Sequence, residues 1–447
     1  MARKTPSTTL TCREMESSSS GNCTAYGFYA SPLARAQQGA DGGGGLPLRG
    51  MPAACAQTVV ENFHLLDFKP LLNTSSYVNV VFEPEEIEVA KLGMSVNLAD
   101  QTIYPGSLRL HNNAVNMVAE LWRCHRPASY DEFGCFPGAG TIGSTEACLL
   151  AGLVLKFRWR AWYAARQCLS AAEVKGVVPN LVISTQFQAA WEKLFKYFDV
   201  EPRLIAPRLS ECTLDPGEVA RAVDDRTMGV VCILGDHYGG HYDPVQAVSE
   251  ALEAVNAAKG FQVGIHVDAA SGGFVAPFHQ APPAATGGAG GGPAAAAAAA
   301  AGAASAGGGD GGGAAAAAAA AAAGQPAFDF TLPCVLSMSA SGHKFGQSCA
   351  GTGWVVWRQR EGLADFVKTD VAYLGGKAES FTLNFSRPAS GAYVQMFKFL
   401  RLGREGYERL TFNMLSTASL IRRGLRAMRL GDKPRIVILD AFRAEGG

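Results

Sequence analysis

Ser337-Met338-Ser339-Ala340-Ser341-Gly342-His343-Lys344-Phe345-Gly346 begins with a short apolar run, opens into small residues and then presents one lysine. By itself Lys344 reads either as a covalent anchor or as an ordinary lysine after a strand. Two further stretches decide between these readings. In Gly140-Thr141-Ile142-Gly143-Ser144-Thr145-Glu146 a glycine loop runs directly into a helix. The first turn of such a helix aims unpaired N–H groups and the positive end of its dipole at an anion, and Ser144 and Thr145 add hydroxyl donors. In His266-Val267-Asp268-Ala269-Ala270-Ser271-Gly272-Gly273-Phe274, Asp268 follows a mostly apolar run and is expected at the buried end of a strand. A buried carboxylate is costly without a positive partner.

An amine, an anion cradle and a carboxylate that holds a ring nitrogen protonated are together the equipment of a pyridoxal phosphate site. The amine attacks the cofactor aldehyde only when unprotonated, so Lys344 needs burial or a neighbouring cation. His343 is expected to supply part of that effect and to touch the cofactor phosphate.

The composition fits this reading. The chain has 447 residues, 48% of them hydrophobic, which is enough for two or three domains and a large core. Lys and Arg number 39 against 39 Asp and Glu, a balance that argues against nucleic acid or an anionic membrane surface as partner. The 11 cysteines show no Cys-x-x-Cys pair and no zinc-ligand spacing, so no metal is expected, and free thiols point to a reducing, cytoplasmic setting. The first segment, with Arg3, Lys4 and Arg13 among many Ser and Thr, is similar to an import peptide but lacks an amphipathic pattern. No apolar run is long enough to span a bilayer.

Residues 1–50 read as a Ser- and Gly-rich disordered or docking tail and 51–110 as an N-terminal helical segment, with Pro84-Glu85-Glu86 opening a helix. Residues 111–390 read as the large α/β domain. In it His111–Trp122 is expected as a helix, 138–143 as a glycine loop and Glu146–Arg166 as a long helix. Strands are expected at Asn180–Ser184, Gly229–Leu234, Val263–Val267 and Gly353–Trp357, with helices Phe187–Phe198 and Val245–Lys259 between them. Near-continuous apolar strands separated by helices predict a mostly parallel sheet covered on both faces, with ligands beyond its carboxyl ends. Residues 281–326 are poly-Ala and poly-Gly, expected as a disordered surface insertion. In 391–447, helices are expected at Tyr393–Leu402 and Gly406–Arg429, and Arg435–Leu439 looks like the first strand of a small C-terminal domain.

Six blocks in order resemble the glutamate decarboxylases, within the pyridoxal-phosphate-dependent amino acid decarboxylases. These are Thr141–Cys148, Lys156–Arg160, His266–Phe274, Ser339–Gly346, Tyr373–Gly376 and Asn384–Pro388. The resemblance implies the fold type I, aminotransferase-like architecture, a dimer or higher homo-oligomer, and decarboxylation of L-glutamate to 4-aminobutyrate and carbon dioxide. By it, Lys344 is the Schiff-base lysine, Asp268 the partner of the pyridine nitrogen, and Ala270 and Gln188 lie against the two ring faces. Ser144, Thr145, Ser341 and His343 hold the phosphate, joined across a dimer interface by Phe385 and Ser386. Ser76, Tyr77, Asn97 and Asp100 lie near the substrate's distal carboxylate, and Lys344 or His343 returns the proton.

The pattern departs from the family in places. His237, in Gly235-Asp236-His237-Tyr238-Gly239-Gly240, stands where these enzymes carry a threonine near the cofactor, and Ser76-Tyr77 replaces a Thr-Phe pair. The family's small domain, with the arginine that clamps the α-carboxylate, has no counterpart among these residues, and no basic calmodulin-binding tail is evident. The resemblance therefore also implies a second reading, a cofactor-binding chain that dimerises with intact decarboxylase, and a third, decarboxylation of an aromatic amino acid.

Overall fold

The computed structural model describes residues 50–67, 69–73, 77–99, 102–125, 136–208, 211–279, 326–359, 363, 369–371, 378–380, 382–431, 433–436 and 438. Nearly all of the expected tail and insertion lies outside these, as does the block 373–376. The chain divides into two units, residues 1–74 and 75–447. Among its described residues the first contains helix α1 (Ala53–His64) and a 3-10 turn at Pro70–Leu72.

The second unit opens with α2 (Pro84–Met94). Proline starts it, and the Glu86 carboxylate reaches back to accept from the Glu83 amide at 3.2 Å, satisfying a donor that the first turn cannot. Helix α3 (Pro105–Leu121) begins one and a half turns before the expected His111, again on a proline. Strand β1 (Gly138–Thr141) corrects the expected glycine loop, and α4 begins at Ser144 and runs to Gln167. The glycines of β1 serve close packing: a Cβ on Gly138 would sit 2.7 Å from Val115, and one on Gly140 would sit 2.9 Å from His111, both on α3.

Alternation follows: α5 (Ala171–Lys175), β2 (Asn180–Ser184), α6 (Ala189–Tyr197), β3 (Glu201–Ile205), α7 (Pro216–Ala222), β4 (Thr227–Ile233), α8 (Val245–Lys259) and β5 (Ile265–Asp268). β6 (Val335–Ser341) and β7 (Gly353–Trp357) complete the sheet. β5 lies slightly C-terminal to its expected span, so that Asp268 is its last residue. Beyond the sheet come the hairpin β8 (Thr369–Val371) and β9 (Ala378–Ser380), the long helix α9 (Ser390–Ala427), and the hairpin β10 (Arg429–Leu430) and β11 (Lys433–Pro434). The hairpin ends at Pro434; of the strand expected over 435–439, the described residues 435, 436 and 438 are not in a strand, and 437 and 439 lie outside the described residues.

The sheet order is β1-β7-β6-β5-β4-β2-β3. β7 pairs antiparallel with both neighbours, and the other pairs are parallel, so β7 alone runs against the rest. Both faces are covered. One core contains Trp122, Phe274 and Phe330, a second contains Trp159, Trp191 and Leu194, and a third contains Leu150, Val355 and Trp357.

Helix α9 unites the two helices read from the sequence across a break at Gly403, whose φ of 58° and ψ of −173° suit glycine alone. On one side of the break Gln395 Nε2 donates to the Gly346 carbonyl, and on the other the Tyr407 hydroxyl donates to the same oxygen, each at 2.8 Å. Lys398 Nζ lies 2.7 Å from the buried Glu86 carboxylate, tying α9 to α2.

Two buried histidines make the fold acid-sensitive. His111 Nε2 accepts from the Gly140 amide at 2.8 Å, and burial, aided by the Arg387 charge, lowers its pKa to about 4. His266 is lowered to about 4 by burial against the opposing pull of Asp268. Both bind a proton more readily unfolded, near 6.5, so the stability they contribute is present above that value and declines as pH falls toward about 4. Urea unfolding across this window is expected to show the decline, with a shallower slope in His266→Asn. Equal slopes would mean that His266 takes up its proton without unfolding.

Candidate active site

Parallel pairing of β5 with β6 sets Asp268 beside Ser339 at the carboxyl edge of the sheet. Each strand then opens into a turn carrying reactive groups. Asp268 is 3% exposed; its Oδ2 accepts from the indole Nε1 of Trp191 at 2.8 Å, and its Oδ1 from the Ala270 amide at 3.1 Å. From the other turn Lys344 Nζ reaches the Ser271 hydroxyl at 3.4 Å. The two turns are stitched by the Ser341 amide, which donates to the Ala270 carbonyl. Asp268, Ala270, Ser341 and Lys344 are thus gathered as the sequence predicts.

Burial holds the Lys344 ammonium below the ordinary lysine range, against the pull of Asp268 and of Cys148. The expected contribution of His343 gives way to this desolvation. The His343 ring is itself held down by burial, and its Nδ1 lies 2.7 Å from the Thr352 carbonyl.

The anion cradle is assembled beside this turn. Gly143, immediately before α4, has φ of 140°, and a Cβ there would lie 3.6 Å from Cε1 of His343. Ser144 is half-buried and Thr145 exposed in the first turn of α4. Ser341 is fully buried, yet its Oγ has no hydrogen-bond partner. A buried hydroxyl without a partner is costly, so this orphaned donor fits a phosphate oxygen.

Tyr77 and His237 meet: their rings stack with centroids 5.2 Å apart, and the tyrosine hydroxyl lies 3.1 Å from His237 Nε2. The Asn79 amide donates to the His343 carbonyl, and a Cβ on Gly235 would meet Ser271 at 3.3 Å, so both partners are carried on segments that pack around the Lys344 turn. Gln188 is half-buried at the head of α6, three positions before Trp191.

Asn97, Phe385 and Ser386 belong to a second group. Asn97 Oδ1 accepts from the amides of Ala99 and Arg387, and its Nδ2 donates to Ser386 Oγ, so this amide is spent on the chain itself. Phe385 is exposed. Ser76 and Asp100 lie outside the described residues.

Several contributors were not assigned a role from sequence. Buried Glu146 accepts from the amides of Ile142 and Asn384, at 2.9 Å each, and so ties the Phe385–Ser386 segment to the head of α4. Its sequence signal was an acid in the first turn after a glycine loop. Trp191, Ser271 and Cys148, whose thiol lies 3.5 Å from Ser339 Oγ, carried no local signal.

A mostly parallel sheet with one reversed strand, and at its carboxyl edge a desolvated lysine, a buried aspartate and a glycine-turn anion cradle, define a pyridoxal-phosphate-binding α/β protein. The comparisons are narrower. Residues 88–287 and 311–430 match the pyridoxal-dependent decarboxylase conserved domain, and the chain belongs to that family, whose cofactor is pyridoxal phosphate. It is 33% identical over 383 residues to a glutamate decarboxylase of Solanum lycopersicum, covering 86% of this chain and 66% of that protein. The chain therefore spans just under two thirds of that relative's length. A glutamate decarboxylase structure from Lactobacillus brevis superposes with a TM-score of 0.69 at 31% identity, covering 85% of this chain and 74% of that one. A sphingosine-1-phosphate lyase of Burkholderia pseudomallei, at 22% identity and a TM-score of 0.63 with 87% and 78% covered, shares the fold.

Because Ser341 Oγ has no protein partner, Ser341→Ala is expected to leave the melting temperature of the cofactor-free chain nearly unchanged. Pyridoxal phosphate affinity should fall about tenfold or more, the value of a hydrogen bond to a charged group. Titration followed by absorbance, with thermal melts in parallel, checks both.

Proposed function

We propose that this chain is a pyridoxal-phosphate-dependent carboxy-lyase that converts L-glutamate to 4-aminobutyrate and carbon dioxide. The observation that carries the reading is the desolvated amine of Lys344 within electrostatic reach of the buried Asp268 carboxylate. The glutamate specificity is supported by the relatives named above. Among the described residues no helix is long and apolar enough to cross a membrane.

When bound, the cofactor supplies an electron-withdrawing ring that takes up the electron pair released as the α-carboxylate leaves. Lys344 would hold the aldehyde carbon, and its burial favours the unprotonated amine that such an attachment requires. Asp268, fixed by Trp191 and the Ala270 amide, would pair with the ring nitrogen and keep it protonated. Ser341, Ser144 and Thr145 would hold the phosphate, with His343 beside them. Lys344 Nζ carries the proton that the product's α-carbon receives. The working unit is a homodimer, a reading supported by the exposed apolar residues Ile142, Leu383 and Phe385 around the α4 head.

Purified chain mixed with pyridoxal phosphate is expected to develop a visible absorbance band and to release labelled carbon dioxide from L-glutamate. Lys344→Ala should lose the band and at least about a thousandfold of the release, within the range by which a missing acid–base or covalent group slows catalysis. Faster release from an aromatic amino acid would overturn the substrate. A band that survives in Lys344→Ala would overturn the anchor.

A further inference from the structure

Asp268 is held by an indole. Its Oδ2 receives the Trp191 Nε1 hydrogen at 2.8 Å, while its Oδ1 receives the Ala270 amide of its own turn. The amide is local and follows from the chain's path. The indole comes from a different element, the first turn of α6, across 77 residues of sequence.

Trp191 has no freedom to turn away. It is fully buried, packed with Leu181, Ile183 and Leu194, and its ring centroid lies 5.4 Å from that of His266. His266 is locked in turn, with Ser337 Oγ 2.8 Å from Nδ1 and Ser339 Oγ 3.0 Å from Nε2. The Cys148 thiol closes the remaining side, against Ser339 and Asp268. The titratable groups facing the carboxylate are thus Lys344, Cys148 and His266.

A carboxylate on a strand end can rotate about its terminal torsion, which is broad. A single local amide does not stop it. A second donor from a rigid wall, on the other oxygen, fixes the plane. We propose that Trp191 is the positioning residue of this site: its indole N–H sets the plane of the Asp268 carboxylate and thereby the tilt of the pyridine ring that Asp268 engages. The proposal rests on the cofactor reading above. Orientation of this kind is worth much in catalysis, since the bond to be broken must align with the ring's π system.

The test separates the N–H from the packing. Trp191→Phe keeps an apolar ring and removes the donor; Trp191→His restores a ring N–H; Leu194→Ala damages the same core without touching Asp268. Pyridoxal phosphate is titrated into each, followed by absorbance and by the sign and size of the visible circular dichroism of the bound cofactor. Trp191→Phe is expected to weaken cofactor binding about tenfold, as befits a lost hydrogen bond to a charged group, and to change the circular dichroism. Trp191→His should recover part of both. Leu194→Ala should lower the melting temperature and leave the dichroism per bound cofactor unchanged. Dichroism and affinity in Trp191→Phe within about twofold of the unaltered chain, or an equal change in Leu194→Ala, overturns the positioning role alone. An unaltered chain that shows no visible band overturns the reading of Lys344 and this proposal with it.

Discussion

The parallel pairing of β5 and β6 is the contact on which the rest depends. It places Asp268 opposite Ser339, and the two turns that follow then cannot avoid each other. A side-chain period of two makes this register unforgiving, since a one-residue slip would turn Asp268 toward the opposite face of the sheet. The sequence between the strands is long, yet the site is indifferent to its length because register, not connection, fixes the geometry.

Behind that edge lies a column of polar groups inside an apolar core: Ser337, His266, Ser339 and Cys148 joined by contacts of 2.8 to 3.5 Å, with the Trp191–Asp268 pair packed on it through the Trp191 and His266 rings. Burying so many polar atoms is tolerable only if each finds a partner. Here each one named does. The exception at the cleft, Ser341, is on the side where the cofactor would lie. Buried atoms without a partner also occur elsewhere, at Arg160 Nε and Trp357 Nε1 for example, so what suits Ser341 to a ligand is its place in the turn that carries Lys344 as well as its missing partner.

What was legible in the sequence was local chemistry. Lys344 and Asp268 stand in short stretches whose own composition shows a strand ending in a reactive group, and the central strands are continuous apolar runs. The illegible parts depend on partners far along the chain. Trp191 meets Asp268 across 77 residues, Cys148 meets Ser339 across 191, and Glu146 meets Asn384 across 238. β1 is made of glycine, alanine and threonine and reads as a loop until α3 is seen lying against it. β3 is an edge strand carrying Glu201, Pro202 and Arg203, with no apolar run to reveal it. Asn97, read as a substrate residue, spends part of its amide on residues more than 280 positions away and part on Ala99.

The bend in α9 has a mechanical side. One carbonyl, that of Gly346, two residues beyond Lys344, takes a hydrogen bond from each limb of the helix, through Gln395 before the break and Tyr407 after it. The two limbs therefore act as the jaws of a caliper closed on the lysine turn. Any load that opens the angle at Gly403 must either pull a donor off that oxygen or carry the turn with it. The far limb, Gly406 to Ala427, exposes Phe412, Leu415, Leu420 and Ile421, so the limb clamped at one end by Tyr407 carries an apolar face along the rest of its length.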